Sequence, residues 1–219
     1  MFLGRGIKVV VKLKICGLKR TQDIEVVNKF KPEYIGFILA PSKRQINLVK
    51  ASYLKGLLDP QIRVVGVFVN EPLESLVHYI DQGVIDNVQL HGDEDLGYIK
   101  ALKKKRQIPI IKAIRLNNQE LLSDTEKAII ESDFIDYPLL DTYTKDAYGG
   151  SGKSFDWKIL EQIKRPYFLA GGINKVNIKE AISFGPYAID ISSGVETEGV
   201  KDAVKIRELF EIIRDEARK

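Results

Sequence analysis

Tyr167-Phe-Leu-Ala-Gly-Gly-Ile-Asn174 and Tyr187-Ala-Ile-Asp-Ile-Ser-Ser-Gly194 are two brief apolar runs, each ending in small residues just before a helical pattern. A strand-to-helix unit of that kind presents backbone N–H groups to an anion. Ala170-Gly-Gly172 keeps side chains out of a ligand's way, and Ser192 and Ser193 add hydroxyl donors beside Gly194. Taken singly, either run reads equally as an ordinary tight turn. Two in succession, separated by one helix, favour a phosphate grip made of Gly171, Gly172, Ser192 and Ser193.

The same alternation runs through the whole chain. Apolar, often β-branched runs predict strands at 7–15, 34–40, 62–69, 87–90, 108–114, 134–140, 167–170 and 188–191. Helical patterns follow at 21–30, 48–57, 73–82, 94–104 and 117–130, from Phe155-Asp-Trp157, after Asn174 as a cap, and at 202–219. In the first helix Ile24, Val27 and Lys31 space the inner face; in the second Val49, Tyr53 and Leu57 do so; Asn70 reads as the cap of the third, with Pro72 at an early position. Ile206, Leu209, Phe210, Ile213 and Ala217 share one side of the last. Eight strand-helix pairs with no shift of composition predict a single-domain (β/α)8 TIM barrel over residues 1–219. An open doubly wound sheet is the runner-up, and it needs a glycine fingerprint after strand one that Lys14-Ile-Cys-Gly17 does not provide.

Composition narrows the partners. The net charge of +4, from 34 basic and 30 acidic residues, is spread through the helices, which suits a small anionic substrate and points to no nucleic acid. Cys16 is the single cysteine, so an intramolecular disulfide and a multi-cysteine metal site are excluded and a reducing, cytoplasmic setting is expected. Arg5, Lys8, Lys12 and Lys14 interrupt the opening residues, and no run is long enough to span a bilayer, so no membrane partner is expected. A monomer or homodimer is the expected assembly.

In a barrel, the C-terminal strand ends converge on one bowl. Here they bring Cys16, Arg44, His91, Asp141 and Asp190 to the phosphate grip. Cys16 reads either as a small buried hydrophobe or, with Lys14 favouring its thiolate, as a proton-abstracting base. Asp141 and Asp190 read as caps or loop ion pairs, or as a carboxyl whose proton affinity a nearby phosphate raises until it serves as an acid. Arg44 suits a bidentate grip on a carboxylate or phosphate. Of the two histidines, His78 and His91, His78 falls in a helical pattern with no carboxylate partner at metal spacing, and one cysteine elsewhere does not complete a ligand set, so no metal is expected. Gly152-Lys-Ser154 ends like a nucleotide-binding loop, but position 147 is Ala where the first glycine belongs. Residues 143–154 read instead as a mobile cover that excludes water.

Lys14-Ile-Cys-Gly17, Gly36-Phe-Ile-Leu-Ala-Pro-Ser-Lys-Arg44, Gly66-Val-Phe-Val-Asn70, Val88-Gln-Leu-His-Gly92, Leu139-Leu-Asp-Thr142, Gly149-Gly-Ser-Gly152 with Phe155-Asp-Trp157, Leu169-Ala-Gly-Gly-Ile-Asn174 and Asp190-Ile-Ser-Ser-Gly-Val-Glu196 together resemble one family in order and content, the phosphoribosylanthranilate isomerases of tryptophan biosynthesis. That resemblance implies a cofactor-free barrel converting N-(5-phosphoribosyl)anthranilate to 1-(2-carboxyphenylamino)-1-deoxyribulose 5-phosphate. It implies Cys16 as general base and Asp141 as general acid. Arg44, His91 and Asp190 become the substrate-binding residues, Arg44 at the anthranilate end and Asp190 near the anilino nitrogen. Gly171, Gly172, Ser192 and Ser193 become the phosphate site. Leu39 and Gln45 depart from the family's usual aromatic residues at those positions. Other expectations stay open: a histidine-pathway aldose-ketose isomerase, which would carry Asp where Cys16 stands; an indole-glycerol-phosphate synthase, which would need a longer N-terminal segment; and a non-catalytic barrel that only binds a phosphorylated ligand.

Overall fold

The computed structural model describes residues 11–116, 121–141 and 157–218. In it, eight parallel strands follow one another around a closed barrel, with β8 returning to pair with β1. The strands are β1 (Lys12–Cys16), β2 (Tyr34–Ile38), β3 (Arg63–Phe68), β4 (Asn87–Leu90), β5 (Ile110–Arg115), β6 (Tyr137–Asp141), β7 (Phe168–Ala170) and β8 (Ala188–Ile191). Helices α1 (Thr21–Phe30), α2 (Leu48–Gly56), α3 (Leu73–Asp81), α4 (Leu96–Lys105), α5 (Asp124–Glu131), α6 (Ile178–Ser183) and α7 (Ala203–Arg218) lie outside. A 3-10 helix, Trp157–Gln162, follows β6, and a small hairpin of β9 (Glu196–Thr197) and β10 (Val200–Lys201) precedes α7. The expected (β/α)8 barrel is therefore present. Residues 7–10, 117–120 and the expected cover at 143–154 lie outside the described residues.

Two cores hold it together. Leu13, Ile15, Ile35, Val64, Val88 and Ile110 face outward and are buried by the helices, while Tyr34, Val65, Ile111, Leu139, Phe168 and Ala188 pack the barrel interior. Successive strand residues alternate between these two faces. The lower interior is aromatic: Tyr137 stacks on Tyr187 with ring centroids 4.5 Å apart, and Phe168 meets Tyr34 and Tyr137 edge-on. Lys12 caps that layer, donating from Nζ to the Tyr187 hydroxyl at 2.6 Å. Each fully buried Leu, Ile or Phe contributes about 1.5–3 kcal/mol, so the two cores supply the main driving force for closure.

Local signals set the helix ends. Asn47 accepts from the Lys50 N–H, Asp95 from that of Tyr98, and Ser123 with Glu126 forms a capping box at α5. Ser123 thus starts a shorter helix than the 117–130 run suggests. Asn70 does not cap α3: with φ at +51° its side chain accepts from the Asp93 N–H, and its own N–H donates to Glu94, tying two loops together. Asn174 likewise closes the turn before α6, accepting from the Val176 N–H, and Asn177 takes the position next to the helix. Val49, Tyr53 and Leu57 are 78%, 60% and 45% exposed, so the inner face of α2 is Ala51 and Leu54 instead. Lys31 is exposed in a left-handed turn that ends α1, and Ile24 and Val27 alone of the expected trio are buried. No helix among the described residues is long and apolar enough to cross a membrane.

Candidate active site

Alternation along the strands carries inward-facing residues up to the bowl: Lys12, Lys14 and Cys16 on β1, Asn87 and Gln89 on β4 with His91 beyond, Tyr137, Leu139 and Asp141 on β6, Ala188 and Asp190 on β8. At the top they line a cavity of about 540 Å³. Cys16, Arg44, His91, Asp141 and Asp190 all reach it, and so do Gly171, Gly172, Ser192 and Ser193. The nine residues expected at the bowl from the sequence all line this one space.

Cys16 ends β1, almost wholly buried. Its strand neighbour is Gly36, where a Cβ would stand 2.6 Å from the Cys16 Sγ, so the glycine makes the room in which the thiol sits. Burial pushes the Cys16 thiol above its usual range, and the Lys14 charge opposes that push without cancelling it. The expected thiolate is therefore not the resting state, because desolvation outweighs the nearby cation. Lys14, fully buried, donates to Asp190 Oδ2 at 2.8 Å. Burial pulls the Lys14 ammonium down, yet the adjoining Asp190 carboxylate, through its charge and hydrogen bond, helps keep it above its ordinary value, so it stays charged.

Asp141 faces His91 across the bowl, with Oδ2 and Nε2 3.2 Å apart. The other ring nitrogen, Nδ1, lies 2.9 Å from the Gln89 Nε2. An amide nitrogen only donates, so Nδ1 accepts and Nε2–H donates to Asp141. This chain orients the carboxyl group. Asp190 Oδ1 and Gln89 Oε1 are buried acceptors with no partner among the described residues, and both residues line the cavity. Unpartnered buried acceptors are uncommon, and here they mark where a ligand's N–H or O–H groups would be received.

The two turns expected to grip a phosphate are built on glycine backbone. Gly171 and Gly172 follow β7 with φ at +100° and +62°, and a Cβ on Gly172 would touch nothing within 4 Å. Gly194 packs against the neighbouring loop so closely that a Cβ there would be 2.0 Å from the Ile173 carbonyl oxygen. Ser192 differs from expectation: its hydroxyl donates to the Cys16 carbonyl at 3.0 Å, which engages the hydrogen anticipated for an anion.

Arg44 is also engaged. Its Nε–H donates to Glu196 Oε1 at 2.7 Å and its Nη2 to Oε2 at 2.5 Å, so the bidentate partner in place is this protein's own carboxylate. Lys201 Nζ reaches the same carboxylate at 2.7 Å. Burial would raise the Glu196 carboxyl, but these hydrogen bonds prevail and hold it at about 2 against an ordinary 4.5. A group depressed in the folded state stabilises above its unfolded value and loses that contribution as pH falls through the folded one. The protein is therefore expected to lose stability progressively from pH about 4.5 toward about 2, and Glu196→Gln to flatten that part of an acid-unfolding curve followed by circular dichroism.

Sequence reasoning missed Glu196, Lys201, Gln89 and Gly36 as parts of the site. Lys14 was findable as a resident of the bowl wall, since alternation along β1 puts it on the face of Cys16.

Residues 13–212 match the family described as N-(5'-phosphoribosyl)anthranilate isomerase. A protein of that name from Endomicrobium trichonymphae is 47% identical over 204 residues, covering 93% of this chain and 98% of the relative. Among solved structures, a phosphoribosyl anthranilate isomerase in complex with reduced 1-(o-carboxyphenylamino)-1-deoxyribulose 5-phosphate superposes with a TM-score of 0.78 at 29% identity, covering 94% of this chain and 99% of the other. A monomeric form generated from the dimeric enzyme of Thermotoga maritima gives 0.77 at 31% identity, with 93% and 98% covered.

Proposed function

The chain belongs to the N-(5'-phosphoribosyl)anthranilate isomerase family, and from that premise we propose that Cys16 and Asp141 are the base and acid of the reaction it catalyses. The reaction converts N-(5-phosphoribosyl)anthranilate to 1-(2-carboxyphenylamino)-1-deoxyribulose 5-phosphate, a step of tryptophan synthesis. The observation that carries the assignment is a single cavity lined by the thiol, the carboxyl group and both glycine-rich loops.

Asp141 gives a proton to the furanose ring oxygen as the C1–O bond breaks, and the anilino nitrogen's lone pair forms the C1=N bond of a cationic Schiff base. Cys16 then takes the C2 proton, and the C2–H electron pair forms C1=C2 while the C1=N electrons return to nitrogen. The resulting enolamine tautomerises: C1 gains a proton and the C2 hydroxyl loses one, leaving the ketose. The buried thiol resists ionisation at rest; the Schiff-base cation, added to the Lys14 charge, favours the thiolate, and the thiol's own proton leaves to solvent before Cys16 receives the one from C2. His91 orients the acid through its 3.2 Å contact. Gly171, Gly172, Ser192 and Ser193 hold the phosphate through backbone N–H groups and the Ser193 hydroxyl, a uniform binding that keeps C2 near sulfur. Arg44 meets the anthranilate carboxylate, and Asp190, through its unpartnered Oδ1, receives the anilino N–H. No cofactor enters this route.

A cytoplasmic monomer or homodimer accords with the single cysteine and with the dimer named for the Thermotoga relative. Purified protein added to phosphoribosylanthranilate should abolish its fluorescence with time, at a rate proportional to enzyme. Tight binding with no time-dependent loss would overturn the catalytic reading and leave a ligand-binding barrel.

A further inference from the structure

Glu196 stands outside the acid-base pair and the phosphate loops, yet its carboxylate is held by two cationic side chains. Its side chain is 6% exposed and receives Arg44 twice and Lys201 once. Lys201, itself buried, donates onward to the Ser192 carbonyl at 2.9 Å. Lys205 fixes the backbone from behind, donating to the Glu196 carbonyl at 2.6 Å. One carboxylate therefore joins Arg44, after β2, to Ser192, after β8. The stem of Arg44 is confined as well: it crosses Gly17, where a Cβ would lie 2.6 Å from the Arg44 Cδ.

A guanidinium has five N–H donors in a rigid fork, and an acceptor that takes one edge decides where the rest point. Glu196 takes the Nε/Nη2 edge of a residue that lines the cavity. With two cations on one anion, the cluster keeps an excess positive charge, so Arg44 remains attractive to a second carboxylate. We propose that Glu196 is a positioning residue that holds Arg44 aimed across the bowl and, through Lys201, sets the spacing between the carboxylate-binding and phosphate-binding ends. It would select substrates whose two anionic groups are separated by that span. The inference rests on the reading that Arg44 meets the anthranilate carboxylate.

The test is a steady-state cycle on phosphoribosylanthranilate with wild type, Arg44→Ala, Glu196→Gln and the double variant. Wild-type turnover is measured first, since its absence would sink the isomerase assignment itself rather than this inference. Glu196→Gln keeps shape but turns an N–H toward a cation, so KM is expected to rise roughly 10- to 100-fold with kcat within about threefold of wild type. The double variant should show the KM of Arg44→Ala alone, because an unaimed arginine and a missing one are equivalent. Glu196→Asp, which keeps the charge but falls one methylene short, is expected to raise KM likewise and serves if the Gln variant does not fold. A loss of kcat at unchanged KM would show a merely structural role. KM increases that multiply in the double variant would show that Glu196 does not act through Arg44. Either result overturns the proposal.

Discussion

Asp141→Asn and Cys16→Ala are each expected to lower kcat at least ~100-fold with the fold intact, the usual scale for removal of a general acid or base. Asparagine is nearly isosteric with aspartate and its Oδ1 still accepts from His91, so the contact at the end of β6 survives. What disappears is a transferable proton. Alanine at position 16 removes a sulfur that fills space against Gly36 and leaves the strand pairing of β1 untouched. Neither residue belongs to the phosphate loops, so KM should move little, which is how loss of a transition-state role differs from loss of binding. Steady-state kinetics with a thermal melt of each variant checks this. A kcat close to wild type in either one would remove that residue from the mechanism.

Gly194→Ala is expected to raise KM roughly 10- to 100-fold and to lower the melting temperature, since overpacking of this kind costs about 1–3 kcal/mol. The new methyl would stand 2.0 Å from the Ile173 carbonyl oxygen and 3.2 Å from the Asn174 Cα. Both are backbone atoms, so no side chain can swing aside, and the loops after β7 and β8 must part. Gly172→Ala is the informative contrast. Its methyl meets nothing, and only the left-handed φ of +62° opposes it, a cost of about 1 kcal/mol. Inorganic phosphate as a competitive inhibitor reads the effect directly: its inhibition constant should rise far more for Gly194→Ala than for Gly172→Ala. Equal inhibition of Gly194→Ala and wild type would mean that the close packing of the two loops is irrelevant to the anion.

The strands were legible because the face that a barrel strand turns to the helices must stay apolar, as Val88, Leu90, Ile189 and Ile191 do in 87–90 and 188–191, where expected and observed bounds coincide. The bowl was legible for a related reason: strand ends are fixed by topology, so Cys16, Asp141 and Asp190 could be gathered without coordinates. Reading failed where size or charge misled it. Val49, Tyr53 and Leu57 suggested a core stripe for α2, while its buried positions are Ala51 and Leu54. Lys112 is buried against Glu94 at 2.8 Å and also donates to the Gly92 carbonyl, bracing the turn that carries His91. Charged residues in a sequence look solvated until their partners are known. Glu196 sat in a quoted motif, but its partner Arg44 is 152 positions away, and only closure of the barrel through β8 and β1 brings them together.

The rings of Tyr34, Tyr137, Phe168 and Tyr187 stopper the lower half of the barrel, with Lys12 hydrogen-bonded beneath. Among the described residues, a vessel plugged at its base opens only at its rim. Whatever leaves after the rearrangement must exit by the route on which the next molecule arrives, so departure and arrival cannot overlap in time. Accumulated ketose then competes for the same threshold as the incoming glycosylamine, and throughput depends on how quickly the following enzyme draws that ketose away.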